Sequence, residues 1–412
     1  MNKPLFKREK YLKRIRSFYH DTAMIKVITG VRRCGKSSIM HMIADELKQN
    51  AVPNENIIFI DLDSRGFRQI KKPDQLDDLI KKYDDIDGIK YLFIDEIQNV
   101  NEFEEIINSY RNDGNYSIFI TGSNSYLLSS ELTTKLTGRY IEFEMMPLSF
   151  EEYVRMKEFY NKPINANITK ELDSYLLEGG LPQTIFYDDF EAKRIYVNNV
   201  VKEIFEKDVK RRVKIKNVSV FEKIQAYMIN NYGTPTSITN IIAELKKDNI
   251  VIKRETLHRY IQILLDAKIL YKCRRFDLKT KKSINSEEKY YLSDPSFWFV
   301  TDPNNTINYG PALENLVYIY AKSKNYSISV GKIGQLECDF ILRNNWSKSY
   351  SYIQVAMTIM ESKKTEEREY APYSKIRDNY PKYLLTRDDI LQQRDGIIHA
   401  NIPEFMLENK DF

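Results

Sequence analysis

Gly30-Val31-Arg32-Arg33-Cys34-Gly35-Lys36-Ser37 has the spacing G-x-x-x-x-G-K-[ST], the signature of a loop that cradles phosphate groups. The residues around it fit that reading. Met24 to Thr29 reads as a strand with Ile25 and Val27 on one face, and Ser37 to Leu47 has helical spacing. Strand, glycine loop and helix in this order are the context the motif needs. Gly30 and Gly35 let the backbone turn several N–H groups onto one anion, and the helix N-terminus adds partial positive charge at the same point. The expected binding set is Gly30, Val31, Arg32, Arg33, Cys34, Gly35, Lys36, Ser37 and Ser38. In this set Lys36 reaches the β- and γ-phosphates of a nucleotide and the Ser37 hydroxyl ligates Mg2+.

A second motif agrees with the first. In Lys90-Tyr91-Leu92-Phe93-Ile94-Asp95-Glu96-Ile97-Gln98 the run from Tyr91 to Ile94 is almost wholly apolar, as in a buried parallel strand. Two carboxylates follow at its carboxyl end, where ligands of open α/β sheets bind. Asp95 fits the position that holds Mg2+, directly or through water. Glu96 fits a general base that deprotonates an attacking water. A third strand, Ser117 to Thr121, runs into Gly122-Ser123-Asn124-Ser125. That tail is ordinary turn chemistry, yet a polar group at this tip could touch the terminal phosphate or the water. Arg139, after Gly138 at a strand start, is either a surface arginine or one lent to a neighbouring copy to neutralise transition-state charge.

The stretches GVRRCGKSS, YLFIDEIQ, FITGSNSYLLS and LTGRYIEFEMMPLSFEEY, continued by Tyr175 to Pro182 and Arg275 to Lys279, resemble a family of bacterial and archaeal AAA-superfamily ATPases. The resemblance covers nearly the whole chain. It implies a P-loop α/β core with ATP and Mg2+ as cofactors, Glu96, Lys36, Arg139 and Asn124 as the catalytic set, and Ser37 and Asp95 as Mg2+ ligands. Asn124 or its neighbour Ser123 would be the polar residue called sensor 1 in AAA-type ATPases. The family's C-terminal region has no characterised function and often ends in a restriction-endonuclease-like fold.

At 412 residues the chain exceeds one ordinary core, so several domains are expected. A net charge of +5 admits a nucleic-acid partner without arguing for one. No apolar stretch is long enough to span a bilayer, and the opening residues MNKPLFKREK lack the apolar segment of a signal peptide. Cys34, Cys273 and Cys338 lie far apart, so no zinc cluster or disulfide framework is indicated. A reducing cytoplasm is the expected setting, with no membrane association. Cys34 reads as a small residue that fits the loop, though its oxidation would block nucleotide entry.

The expected organisation is a P-loop core over 1–147, a helical lid over 148–215, a winged helix-turn-helix over 216–300 and a nuclease-like α/β domain over 301–412. Residues 1 to about 20 read as a basic amphipathic helix with Leu5, Tyr11, Leu12, Ile15 and Phe18 apolar. The lid is interrupted at Gly179-Gly180-Leu181-Pro182, and its last helix ends in Lys207-Asp208-Val209-Lys210-Arg211-Arg212. In the third segment Thr236 or Ser237 caps one helix. The next has Leu257, Tyr260, Ile261, Leu264 and Leu265 on one face and Lys253, Arg254, His258, Arg259 and Gln262 on the other. Strands from Ile269 to Phe276 and Lys289 to Leu292 flank a loop with Lys279, Lys281 and Lys282. Such a module could set a helix in a major groove and its wing on phosphates, so DNA or RNA is a candidate partner.

The last segment resembles the PD-(D/E)XK nuclease core, which implies Glu314 on a helix, Asp339 on one strand and Gln354 on the next as counterparts of the metal ligands. Glu337 and Asp339 share a strand face. Gln354 is a weaker ligand for a hard cation than a carboxylate, and Ala356 stands where the family has a lysine. Lys363 or Lys364 could replace that charge. A retained fold with lost catalysis is the expectation. The whole chain then reads as an Mg2+-dependent ATPase that moves its C-terminal module. The alternatives are an ATP-gated metal-dependent nuclease and a nucleotide-dependent switch that binds a protein. If Arg139 acts between copies, the protein assembles into a homo-oligomer.

Overall fold

The computed structural model describes residues 4–122, 136–209, 215, 217–280, 282–301 and 306–412. The chain is an α/β protein that clusters into two compact units, Met1–Met145 with Lys207–Val209, and Met146–Glu206 with Lys210–Phe412.

The first unit runs α1 (Glu9–Ile15), β1 (Ile25–Gly30), α2 (Lys36–Gln49), β2 (Ile57–Asp61), α3 (Pro73–Ile80), β3 (Lys90–Asp95), α4 (Phe103–Asp113), β4 (Tyr116–Thr121) and β5 (Tyr140–Met145). Its strands form one sheet in the order β2-β3-β4-β1-β5, every neighbour parallel. Alternation along each strand fills the two faces differently. Ile58 and Ile60, Leu92 and Ile94, and Ile118 and Ile120 join Leu76 and Ile80 of α3 and Phe103 and Ile107 of α4 in one core. On the other face Phe59, Phe93 and Phe119 stack in a row, extended by His41 of α2 at 4.1 Å from Phe59. Lys26 of β1 ends the row, its ammonium 4.6 Å from the Phe119 ring centre. The N-terminal helix is shorter than the apolar spacing suggests. Residues 4–8 are irregular, and a 3-10 turn over Arg16–Phe18 follows Ile15. Tyr11, Leu12 and Ile15 are buried as their spacing requires, whereas Leu5 is exposed.

The second unit begins with α5 (Phe150–Phe159), α6 (Ile168–Glu178) and α7 (Phe190–Glu203). Ser149 and Glu152 close a reciprocal capping box at the start of α5. The expected interruption at Gly179-Gly180 has a steric cause. A Cβ on Gly179 would lie 2.0 Å from an Asp294 carboxylate oxygen, and one on Gly180 would lie 2.3 Å from the Leu148 carbonyl. Instead Gly180 N–H donates to Asp294 (2.8 Å) and Leu148 N–H donates to Gly180 (2.7 Å).

Next come α8 (Val218–Asn230), β6 (Pro235–Thr236), α9 (Ile238–Lys247), α10 (Arg254–Asp266), β7 (Leu270–Asp277), β8 (Lys282–Leu292) and α11 (Ser296–Thr301). Ser237 caps α9 by accepting from Asn240 N–H. The chain finishes with α12 (Tyr309–Ser323), β9 (Tyr326–Ile333), β10 (Leu336–Asn344), β11 (Tyr350–Val355), α13 (Lys363–Tyr370), β12 (Lys382–Thr386), β13 (Gln393–Arg394), β14 (Ile397–Asn401) and α14 (Ile402–Leu407). The segments expected over 216–300 and 301–412 share one sheet. All nine strands from β6 to β14 form one sheet, in the order β13-β14-β12-β11-β10-β9-β7-β8-β6. The seam is β7 beside β9, paired in parallel at Arg275–Val330, Phe276–Gly331 and Asp277–Lys332. Among the described residues, no helix is long and apolar enough to cross a membrane.

Candidate functional site

The phosphate loop begins where β1 ends. Gly30 sits at φ +141°, and a Cβ there would lie 2.3 Å from the Met145 carbonyl oxygen, so only glycine lets the loop pass β5 this closely. Arg33 and Gly35 continue the turn in left-handed backbone, at φ 68° and 105°. The helix α2 starts at Lys36 with no side chain capping it. Lys36, Ser37 and Ser38 therefore carry N–H groups that a first helical turn leaves without an intrahelical partner. Lys36 is buried, and its ammonium donates to the carbonyl oxygens of Gly30 (3.0 Å) and Val31 (3.3 Å). Arg8 donates to the Cys34 carbonyl (3.0 Å). Burial pushes the Cys34 thiol up, against the lowering pull of Lys36 and Arg8. Cys34 is thus a packing residue rather than a reactive thiol. Ser37 is exposed.

The carboxylates stand two strands away on the same sheet edge. Thr121, the last residue of β4, donates its hydroxyl to Asp95 and accepts the Glu96 N–H (3.2 Å). Asp95 is buried. Glu96 has φ 55°, an uncommon value for a residue other than glycine, and its carboxylate accepts from the Gln98 side-chain amide. Backbone in such a region tends to mark functional sites. Ser37, Asp95 and Thr121 offer hard oxygen donors, the kind Mg2+ prefers. Among the described residues no group of three or more His, Cys, Asp or Glu is set to hold a metal ion. A Mg2+ here would therefore draw most ligands from phosphate and water.

One expected participant is not brought to this edge. Arg139 is exposed, and its carbonyl accepts the Ile25 N–H (2.9 Å) at the opposite end of β1 from Gly30, roughly 17 Å away along the strand. Asn124 and Ser123 lie outside the described residues, as do Lys210, Arg211, Arg212 and Lys281.

A second polar cluster lies within the nine-stranded sheet. Glu314 of α12 and Glu337 of β10 both meet the ammonium of Lys289 from β8, at 3.1 and 2.9 Å. Glu337 also pairs with Arg275 of β7 (2.7 Å), and Glu314 accepts from the Tyr291 hydroxyl (3.2 Å). Asp339 accepts the Val355 N–H (2.8 Å), while its own N–H donates to the Gln354 side chain (3.3 Å). Gln354 spends its amide on Glu369 (2.9 Å). Burial pushes the Asp339 carboxyl well above its ordinary range, with the Glu314 charge adding to that and Lys289 opposing it. Burial raises Glu314 as well, again against Lys289. Lys363 and Lys364, the expected replacements for the missing lysine, are exposed at the start of α13.

One of the matching family models covers the first of these sites. The family of AAA domains matches residues 22–154, and a domain of unknown function (DUF8612) matches 169–299. An uncharacterised protein of Haemophilus influenzae is 31% identical over 410 residues, spanning 99% of this chain and 100% of that protein. The chain belongs to that protein's family. An uncharacterised protein of Methanocaldococcus jannaschii is 31% identical over 379 residues, covering 89% of this chain and 82% of the relative. Among solved structures, a Walker-type ATPase of Pyrococcus abyssi aligns with 72% of this chain and 96% of its own, at 16% identity and a TM-score of 0.49.

Within residues 22–154, Thr121 is the functional residue that the sequence does not signal. It closes an apolar strand and is itself a good strand former, so nothing local marks it. The signal was positional: it is the last residue before Gly122, level with Asp95 across a parallel pair. The sequence pattern marks Lys289 only as the start of a four-residue strand. The strand begins at Lys282, which puts Lys289 deep inside the sheet.

Proposed function

We propose that the protein is an Mg2+-dependent ATPase whose single working centre is the phosphate loop with the Asp95–Thr121–Glu96 group. The observation that carries this is Lys36. Its ammonium rests on the neutral carbonyls of Gly30 and Val31, where the loop passes β5 too closely for any residue but glycine at Gly30. A phosphate that entered would offer this buried cation a charged acceptor in place of two neutral ones. The first-turn amides of α2 would hold the same phosphate. Ser37 and Asp95 would hold Mg2+, which would supply charge neutralisation at the phosphates. Glu96, oriented by Gln98, takes the proton of the attacking water. Thr121 keeps Asp95 in place and fixes the backbone at Glu96. Arg139 stands at the far end of its own sheet, so any role in hydrolysis is at the site of a neighbouring copy.

The second unit is then the moved part. Its order α8-β6-α9-α10-β7-β8 suits a winged helix, and α12-β9-β10-β11-α13-β12 suits a nuclease-like core that has lost catalysis. One feature favours nucleic acid as the partner. A groove of about 490 Å³ between α10 and the β7–β8 hairpin is lined by Arg254, His258, Lys272 and Arg274, with Glu288 as its acidic member. Phosphate contacts by such groups weaken steeply with salt.

The deciding experiment measures phosphate release with and without DNA and RNA, alongside a salt-dependent gel shift. Hydrolysis lost in Lys36→Ala supports the ATPase, and hydrolysis unchanged in that variant refutes it. Stimulation by nucleic acid supports the groove reading; its absence leaves a switch with a protein partner as the better account.

A further inference from the structure

Lys289 is hard to explain as a wing residue. Strand alternation sends Glu288 and Tyr290 of β8 to the groove, and Lys289 and Tyr291 to the opposite face. There Lys289 meets Glu314 and Glu337, and its side chain is only 5% exposed. In a nuclease-like core, Glu314, Asp339 and the residue at Gln354 would surround a divalent cation. The side chains in place do not fit one. Gln354 is committed at both ends of its amide, to Asp339 N–H and to Glu369. Asp339 already accepts from Val355 N–H. Glu337, next to Asp339 but one, is held between Lys289 and Arg275. A divalent ion wants about six oxygen ligands, several of them waters, and the carboxylates that would supply them are taken up by ion pairs and backbone amides.

We propose that Lys289 is a tethered cation occupying the metal position of the Glu314–Glu337–Asp339 cluster, which makes the cluster a metal-free ionic clasp between β8 and the strands after it. The proposal rests on the nuclease-like reading of residues 301–412. Its charge state agrees. Burial pulls the Lys289 ammonium down, but Glu314, Asp339 and Glu337 outweigh it and hold it above the ordinary lysine range. The clasp also accounts for Ala356. A strand that receives its positive charge from β8 has no use for a second lysine at that place, where the side chain is small and buried.

The test uses the full-length, nucleotide-free protein and Mn2+ as probe, followed by paramagnetic resonance. Wild type should show no Asp339-dependent Mn2+ site. Lys289→Ala should gain one, roughly tenfold or more tighter than any wild-type binding, and Lys289→Ala with Asp339→Asn should lose it again. In parallel, acylation of wild-type lysines should spare Lys289 whether or not Mn2+ is present. Two failures are distinguishable. Mn2+ binding by wild type that Asp339→Asn abolishes, or Mn2+ that renders Lys289 reactive, overturns the clasp and leaves the nuclease-like reading standing. A folded Lys289→Ala that gains no site overturns the nuclease-like reading too, because the carboxylates were then never arranged for a metal. Should Lys289→Ala not fold, the wild-type titration and the acylation decide.

Discussion

Two buried lysines, Lys36 and Lys289, sit in the two units with less than a tenth of their surface exposed, and they are held in opposite ways. Lys36 rests on the carbonyls of Gly30 and Val31. Lys289 is gripped by the carboxylates of Glu314 and Glu337. A carbonyl is a neutral acceptor and gives up an ammonium to an arriving phosphate at little loss. A pair of carboxylates in a low-dielectric interior does not, since the released charges would stand uncompensated. The comparison separates a cation kept for exchange from one consumed by the fold. On the proposed function, the first cation is free to exchange partners and the second is not.

The two sites should differ most at the hydrolysis step. Glu96→Gln should lower turnover by roughly 10²- to 10⁴-fold while nucleotide binding survives, read as phosphate release against equilibrium binding of a labelled nucleotide. Equal turnover would remove Glu96 from its role. The lysines themselves come next. Lys289→Ala should lower unfolding stability by about 3–5 kcal/mol, because it strands buried carboxylates. Lys36→Ala should change stability by about 1 kcal/mol or less and abolish nucleotide binding. Denaturant melts of the two variants side by side would invert the comparison if Lys36→Ala proved the less stable.

A third buried lysine sharpens it. Lys26 touches no carboxylate; it donates to the Met24 carbonyl (3.0 Å) and the Ser117 hydroxyl (2.9 Å). Burial pulls its ammonium down to about 7 from the usual 10.5. Between those values the unfolded chain binds more protons than the folded one, so stability rises with pH, by at most about 1.4 kcal/mol per pH unit. Lys26→Met should flatten that rise in urea melts compared between about pH 7 and about pH 9. The smallest expected effect is at Arg139. Arg139→Ala should leave nucleotide affinity unchanged, measured by the same binding assay. Turnover that falls in Arg139→Ala and returns on mixing with Lys36→Ala would show a site shared between copies.

The phosphate loop was legible because each residue in it has a local duty. Gly30 must lack a side chain, Gly35 must turn left-handed, and Lys36 must open a helix. Asp95 was legible from the apolar run that delivers it to a strand end. Thr121 was not, since its importance comes from the register of β4 against β3. Lys289 was still less so. Its meaning depends on α12 and β10 arriving from well down the chain, and on β7 pairing with β9 across a boundary drawn at residue 300. The helical faces of α10 were read correctly for Leu257, Tyr260, Ile261 and Leu264, all buried, with Arg254, His258, Arg259 and Gln262 exposed. Period and capping are short-range signals; sheet order is not.

That seam between β7 and β9 also limits how the gene could have been assembled. A piece starting after residue 300 would carry β9 with a raw edge, inviting union with any other unpaired strand. The complementary piece, ending there, would bring Lys289 without the acids that keep it. Neither half is a cassette that recombination could move alone. The stretch from α8 to α14 thus stands or falls as one sheet, whatever separate modules its outline suggests.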